Sequence, residues 1–98
     1  MTASSLLQVV IPSNVLAQEL GGELVLLNME NETYYSLNKV GSRMWQFLAE
    51  KGDIETATQQ LLQIFAVEES TLRQDVAKLI DELVQEGLLS IASSQENQ

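Results

Sequence analysis

The hydrophobic period of this chain changes once, at Asn38. Before that point apolar residues come in short runs separated by turn residues; after it they recur every three or four positions. Side chains alternate faces along a strand and return to one face of a helix at that second spacing, so the pattern predicts a small sheet followed by helices. Two apolar runs, 15–20 and 23–28, are split by Gly21-Gly22, which predicts a hairpin. A second turn at Glu30-Asn31-Glu32 leads into Thr33-Tyr34-Tyr35-Ser36-Leu37, placed at one edge of a three-stranded antiparallel meander. The middle strand carries Leu24 and Leu26 on one face and Val25 and Leu27 on the other, a pattern that predicts cover on both sides.

Three helices follow. Asn38 is placed to cap one that ends near Lys51, with Gly52 as its stop and Val40, Met44, Trp45, Phe47 and Leu48 inward. Asp53 caps a second, with Ile54, Ala57, Leu61, Leu62 and Phe65 inward. The third is expected to start near Ser70 or Thr71, where Thr71-x-x-Gln74 has the form of a capping box, and to bury Leu72, Val76, Leu79, Ile80 and Leu83. Gly87 ends it, and residues 88–91 return to the body. The expected fold is α+β and winged helix-turn-helix-like, as one domain over 9–91 between a flexible N-terminus, 1–8, and a disordered tail, 92–98.

The residue inventory then narrows the chemistry. The chain has neither histidine nor cysteine, which removes the usual general base, the usual metal ligands and any disulfide. Ser36-x-x-Lys39 is the one formal match to a serine-lysine arrangement, at a strand-to-helix junction in a chain too small to offer an obvious substrate cavity. Glu68-Glu69 reads as favouring the start of the third helix rather than as paired catalytic carboxylates. No enzyme activity, metal or cofactor is expected. The net charge of −9 repels phosphate backbones and anionic membranes. Across 70–86, Arg73 and Lys78 stand against Asp75, Asp81, Glu82 and Glu86, the wrong sign for a helix that reads DNA. With no long apolar stretch and no secretory signal, a cytoplasmic location is expected, with neither nucleic acid nor membrane as partner.

What remains is surface. An unpaired strand edge at 33–37 offers N–H and C=O groups to an added strand, or is shielded by a neighbouring helix or loop. On a helical wheel, the apolar arc of the third helix runs from Leu72 through Val76, Ile80, Arg73 and Val84 to Ala77, about 140° away. That exceeds the roughly 100° a surface helix needs. The excess is either one wall of a groove, with Arg73 its only charge, or a face covered by the other two helices. Composition leaves both pairs of readings open.

A family resemblance bears on the choice. Tyr34-Tyr35-x-Leu37-Asn38, Gly41-x-x-x-Trp45, Asp75-Val76 and Leu83-x-x-x-Gly87-Leu88-Leu89, in that order over residues 15–91, resemble the PqqD-like recognition elements of pathways that modify ribosomally made peptides. The resemblance implies binding of a precursor's leader segment as a strand beside 33–37, against the third helix, and presentation of that precursor to separate enzymes. By carry-over, Thr33, Tyr34, Tyr35, Ser36 and Leu37 pair with the leader, and Arg73, Val76, Ala77 and Ile80 receive its apolar side chains. Gly41 and Trp45 are structural in this reading. A free-standing domain of this length resembles the lasso-peptide type, whose partners are a leader protease and a cyclase. The alternatives are a peptide chaperone for a radical enzyme in quinone cofactor synthesis, a winged-helix transcriptional regulator, and a structural protein that pairs with itself through the edge.

Overall fold

The computed structural model describes residues 7–93. The elements run β1 (Leu7–Val10), β2 (Val15–Leu20), β3 (Glu23–Asn28), β4 (Thr33–Leu37), α1 (Lys39–Lys51), α2 (Ile54–Ile64), α3 (Glu69–Gln85) and β5 (Ser90–Ser93). The expected meander is present: β2, β3 and β4 form an antiparallel sheet in that order. Three helices follow it, so the architecture is the α+β arrangement expected.

Local chemistry accounts for most boundaries. Gly21 and Gly22 both hold positive φ, 63° and 87°, the requirement of the two-residue turn that joins β2 to β3. Asn38 Oδ1 accepts from the Gly41 N–H at 2.8 Å and starts α1. Asp53 Oδ2 accepts from the Thr56 N–H at 3.2 Å and starts α2. The start of α3 differs from the expected capping box. The helix begins at Glu69, and Glu68 occupies the N-cap without a side-chain cap bond. Two carboxylates at the positive end of the helix favour this earlier start, and Glu69 reaches Arg73 one turn on at 2.8 Å.

The core lies between the inner face of the sheet and the helices. Leu24, Leu26, Leu37, Trp45, Leu48, Leu83 and Leu88 are buried together. A second cluster, Met44, Leu61, Leu72 and Val76, joins the three helices. Trp45 is a core anchor, as its spacing implied. Val40, expected inward, is exposed. The middle strand also departs from expectation. Its inner face is buried at Leu24, Leu26 and Asn28, but Val25 and Leu27 are only half-buried, because the helices cover one side of the sheet.

The ends of the fold were not anticipated. β1 and β5 pair antiparallel in a separate two-stranded sheet, Leu7 with Ser93 through Val10 with Ser90. Residues 7, 8, 92 and 93, expected in the terminal segments, therefore belong to a ladder; the rest of those segments, 1–6 and 94–98, lies outside the described residues. The pairing closes the chain onto the body behind buried Leu88 and Leu89.

Candidate functional site: a strand edge and a cleft on two sides of one helix

β4 pairs with β3 on one side and, among the described residues, with no strand on the other. The turn phase fixes which of its main-chain groups are free. In a two-residue hairpin the closing pair, here Leu20 and Glu23, exchanges both hydrogen bonds. Directions alternate along a strand, so Leu24, Leu26 and Asn28 turn towards β4, and their partners Leu37, Tyr35 and Thr33 turn towards β3. Tyr34 and Ser36 then direct N–H and C=O outward. Ser42, buried on α1, fits the same phase. Its Oγ accepts from the Leu24 N–H at 2.8 Å and donates to the Leu37 carbonyl at 3.2 Å, bridging the last pair of the ladder.

The side chains of β4 divide as the pleat requires. Leu37 is buried and Tyr35 half-buried on the helix side, while Tyr34, at 69% exposure, stands on the outer face. Tyr35 donates its hydroxyl to Glu82 on α3. That bond, then burial, then the negative charges of Glu82 and Glu86 push the phenol up to about 12. A phenol raised from its ordinary value near 10 adds stability that is whole below pH ~10 and is lost as pH rises towards the folded value. Tyr35→Phe is expected to cost about 1 kcal/mol at neutral pH, or about 4–8 °C in Tm for a domain of this size. The gap between mutant and wild type in denaturant melts should shrink as pH climbs from about 10 to about 12.

Arg73, Val76, Ala77 and Ile80 do come together. With Ile54 and Thr58 of α2 and Ile91 of β5 they line an apolar cleft of about 290 Å3. The structure does not bring this cleft to β4. α3 meets β4 through Glu82, and Glu82 and Arg73 are nine residues apart, about half a turn around the helix axis. The strand edge and the cleft thus lie on opposite flanks of α3.

Nor is Arg73 a free cation at a rim. Its Nη1 and Nη2 donate to the two Glu55 carboxylate oxygens at 2.9 Å each, and its Nε donates to Glu69. The fork ties α2 to α3. The bonds from Arg73 and then from Gln59 hold the Glu55 carboxyl down at about 2, and Arg73 is itself raised, first by Glu55 and then by Glu69. The linkage is present above the ordinary carboxylate range and is lost as pH falls towards about 2. Because these side chains are 39–57% exposed, water screens much of their attraction. The local effect is neutralisation: the cleft is apolar, with its one positive charge already matched.

Two residues that support the site carried no motif. Asn28 is buried at the end of β3; its Oδ1 accepts from Asn14 Nδ2 at 2.6 Å and from the Glu30 N–H at 2.9 Å, and its Nδ2 donates to the Gly87 carbonyl at 3.0 Å. It joins the turn that precedes β2 and the turn that follows β3 to the end of α3. Glu82, the contact between α3 and β4, stands in the sequence only as one of the acidic residues counted along the third helix. A buried asparagine in an apolar strand was the available signal for the first; nothing local distinguished the second.

Two solved structures are similar in fold. The structure described as TbiB1 in complex with the TbiA(beta) leader peptide is 26% identical, covers 89% of this chain and 98% of its own, and superposes with a TM-score of 0.77. A second, lasso peptide synthetase B1 complexed with the leader peptide, is 20% identical over 85% of this chain and 98% of its own, with a TM-score of 0.76, a likeness of fold. No curated protein matches the chain. The family model for coenzyme PQQ synthesis protein D matches residues 23–89, well over half of the sequence, and the chain belongs to this PqqD family.

Proposed function

We propose that this protein binds the leader segment of a ribosomally made precursor peptide by adding it as a strand to β4, and presents the precursor to separate maturation enzymes of lasso type, a leader protease and a cyclase. It works in the cytoplasm and supplies recognition, not catalysis. The observation that carries the reading is the open edge of β4, where Tyr34 and Ser36 face outward beside α3. The 26%-identical relative with a bound leader peptide supports it. Backbone pairing gives register and part of the affinity; side chains on the helix side of the added strand meet Tyr35, Leu79 and Glu82.

The cleft of Arg73, Val76, Ala77 and Ile80 takes an apolar side chain from leader beyond the added strand. It lies about one helix diameter from the Glu82 flank, roughly 10 Å, a span that three or four extended residues cover at about 3.3 Å each. With Arg73 neutralised by Glu55 and Glu69, an aliphatic or aromatic group suits the cleft better than an acid. A net −2 across α3 keeps the DNA-reading alternative disfavoured.

Calorimetric titration with the cognate leader tests the reading, since Trp45 is buried and its emission reports the core. The expected Kd is micromolar or tighter, about −8 kcal/mol. Ala77→Arg, at an exposed position on the cleft wall, should weaken binding by roughly tenfold, about 1.4 kcal/mol, with little change in Tm. No heat at any concentration, or an affinity indifferent to both the β4 edge and the cleft, contradicts the assignment.

A further inference from the structure

β2 is the other edge of the sheet, and the leader reading leaves it unused. The turn that fixes the phase of β4 fixes this edge too. Leu20 bonds back to Glu23, so Leu16, Gln18 and Leu20 turn their main chain towards β3, while Val15, Ala17 and Glu19 turn theirs away. The flanking bonds agree. The Asn14 carbonyl accepts from the Met29 N–H at 2.8 Å, on the β3 side, and the Val15 N–H donates to the Pro12 carbonyl at 3.1 Å, on the other. Among the described residues, the main chain of Ala17 and Glu19 meets no strand on that outward side.

This edge lacks the usual guards. Strand edges are ordinarily protected by proline, lysine, a bulge or a covering element. β2 has neither proline nor lysine, its register with β3 runs unbroken from Val15 to Leu20, and every residue from Leu16 to Leu20 is exposed. The sequence itself indicates what fits there: Leu16-Ala17-Gln18-Glu19-Leu20 reads nearly the same from both ends. Two identical strands paired antiparallel are related by a two-fold axis, and the position of that axis decides which side chains meet. Centred on Glu19, it sets two carboxylates directly opposite each other, which repel. Centred on Ala17, it sets Leu16 against Gln18 and calls on the Val15 N–H, which Pro12 already holds. Centred on Gln18, it sets Leu16 against Leu20, Gln18 against Gln18, and each Glu19 against the small Ala17. Ala17 and Glu19 then exchange both main-chain bonds on either side of the axis, so each free N–H of the edge is used.

We propose that a second copy of this chain pairs with β2, antiparallel about Gln18, and joins two three-stranded sheets into one. Both β4 edges stay open at the far ends of the joined sheet, so self-pairing and strand addition at β4 are independent of each other. The pairing is weak. A six-residue strand about 20 Å long, on a sheet about 10 Å across, covers on the order of 200 Å2 per copy, against roughly 800 Å2 in a stable assembly. The dimer is reversible, with a Kd on the order of 0.1 mM. The net charge of −9 on each copy opposes it, so added salt strengthens it.

Sedimentation equilibrium from about 10 µM to about 1 mM tests the proposal, on the wild type, Ala17→Pro and Gln18→Glu. Ala17→Pro removes an outward N–H without taking a bond from the β2–β3 ladder. Gln18→Glu keeps every main-chain group and sets two carboxylates face to face at the axis, so it serves even if the proline perturbs the strand. The expected result is a wild-type mass that rises from one chain towards two, and further at higher salt. Both variants should dimerise at least tenfold more weakly, with leader Kd by calorimetry within about twofold of wild type. A wild type that stays a single chain throughout the range overturns the proposal. So does a dimer that both variants leave intact. A dimer that excess leader disperses shows pairing through β4, and overturns it in favour of that edge; a wild type that binds no leader yet dimerises as described removes the leader reading and leaves this proposal standing.

Discussion

Ser36→Pro should weaken leader binding by about ten- to a hundredfold while leaving the fold nearly intact. The N–H of Ser36 points away from β3, so its loss removes no bond from the sheet, and an edge strand tolerates proline on its open side. The same change takes a donor from the added strand and puts the pyrrolidine ring where the guest backbone must approach. One missing hydrogen bond and a strained approach together amount to about 1.5–3 kcal/mol. Tyr35→Pro, one residue earlier, should behave differently. That N–H bonds to β3, and the substitution also removes the hydroxyl that reaches Glu82, so Tm should fall along with affinity. The contrast between neighbouring prolines, read by calorimetry and thermal melts in parallel, separates an outward-facing edge from a merely sensitive strand.

The largest effect on stability is expected at Gly87. Its φ of 73° is one that side chains rarely adopt, and a Cβ there would stand 2.9 Å from Asn28 Nδ2. That nitrogen is held by its bond to the Gly87 carbonyl, and its amide partner oxygen by two further bonds, so the Asn28 side chain has no free direction of retreat. Gly87→Ala combines left-handed strain of about 1 kcal/mol with a buried amide left partly unpaired, another 1–3 kcal/mol. A Tm lower by about 10–20 °C follows for a domain of this size. Gly21→Ala is the natural comparison. Its φ is 63°, but a Cβ there meets nothing within 4 Å, so only the strain remains. Equal Tm losses at the two glycines would show that the Asn28 junction contributes little. A loosened junction should also reduce leader affinity, because Asn28 sets the end of α3 against the sheet that carries β4.

What could be read in advance was what chain neighbours decide. Gly21-Gly22 declared its turn because few other residues accept two successive positive φ values. Asn38 and Asp53 declared helix starts because their side chains bond to N–H groups three residues on. The β1–β5 ladder joins residues 80 to 86 positions apart in sequence, and four-residue strands with little alternation leave no local trace of that choice. The site was half legible for a related reason. A helical wheel gives the width of an apolar arc but not its azimuth against the rest of the molecule. Arg73, Val76, Ala77 and Ile80 line one cleft, yet which flank of α3 faces β4 is set by the Tyr35–Glu82 contact and by Asn28, both long-range. Arg73 looked like a lone cation because Glu55, its main partner, sits on another helix.

The central claim is that the outward main chain of β4 grips a guest segment. Amide-resolved hydrogen exchange on the 15N-labelled protein, with and without the cognate leader, tests it most directly. The account predicts that the Tyr34 and Ser36 amides exchange freely in the empty protein and become strongly protected when the leader is bound, while those of Thr33, Tyr35 and Leu37 change little. Leader binding that leaves Tyr34 and Ser36 exchanging as before would contradict it.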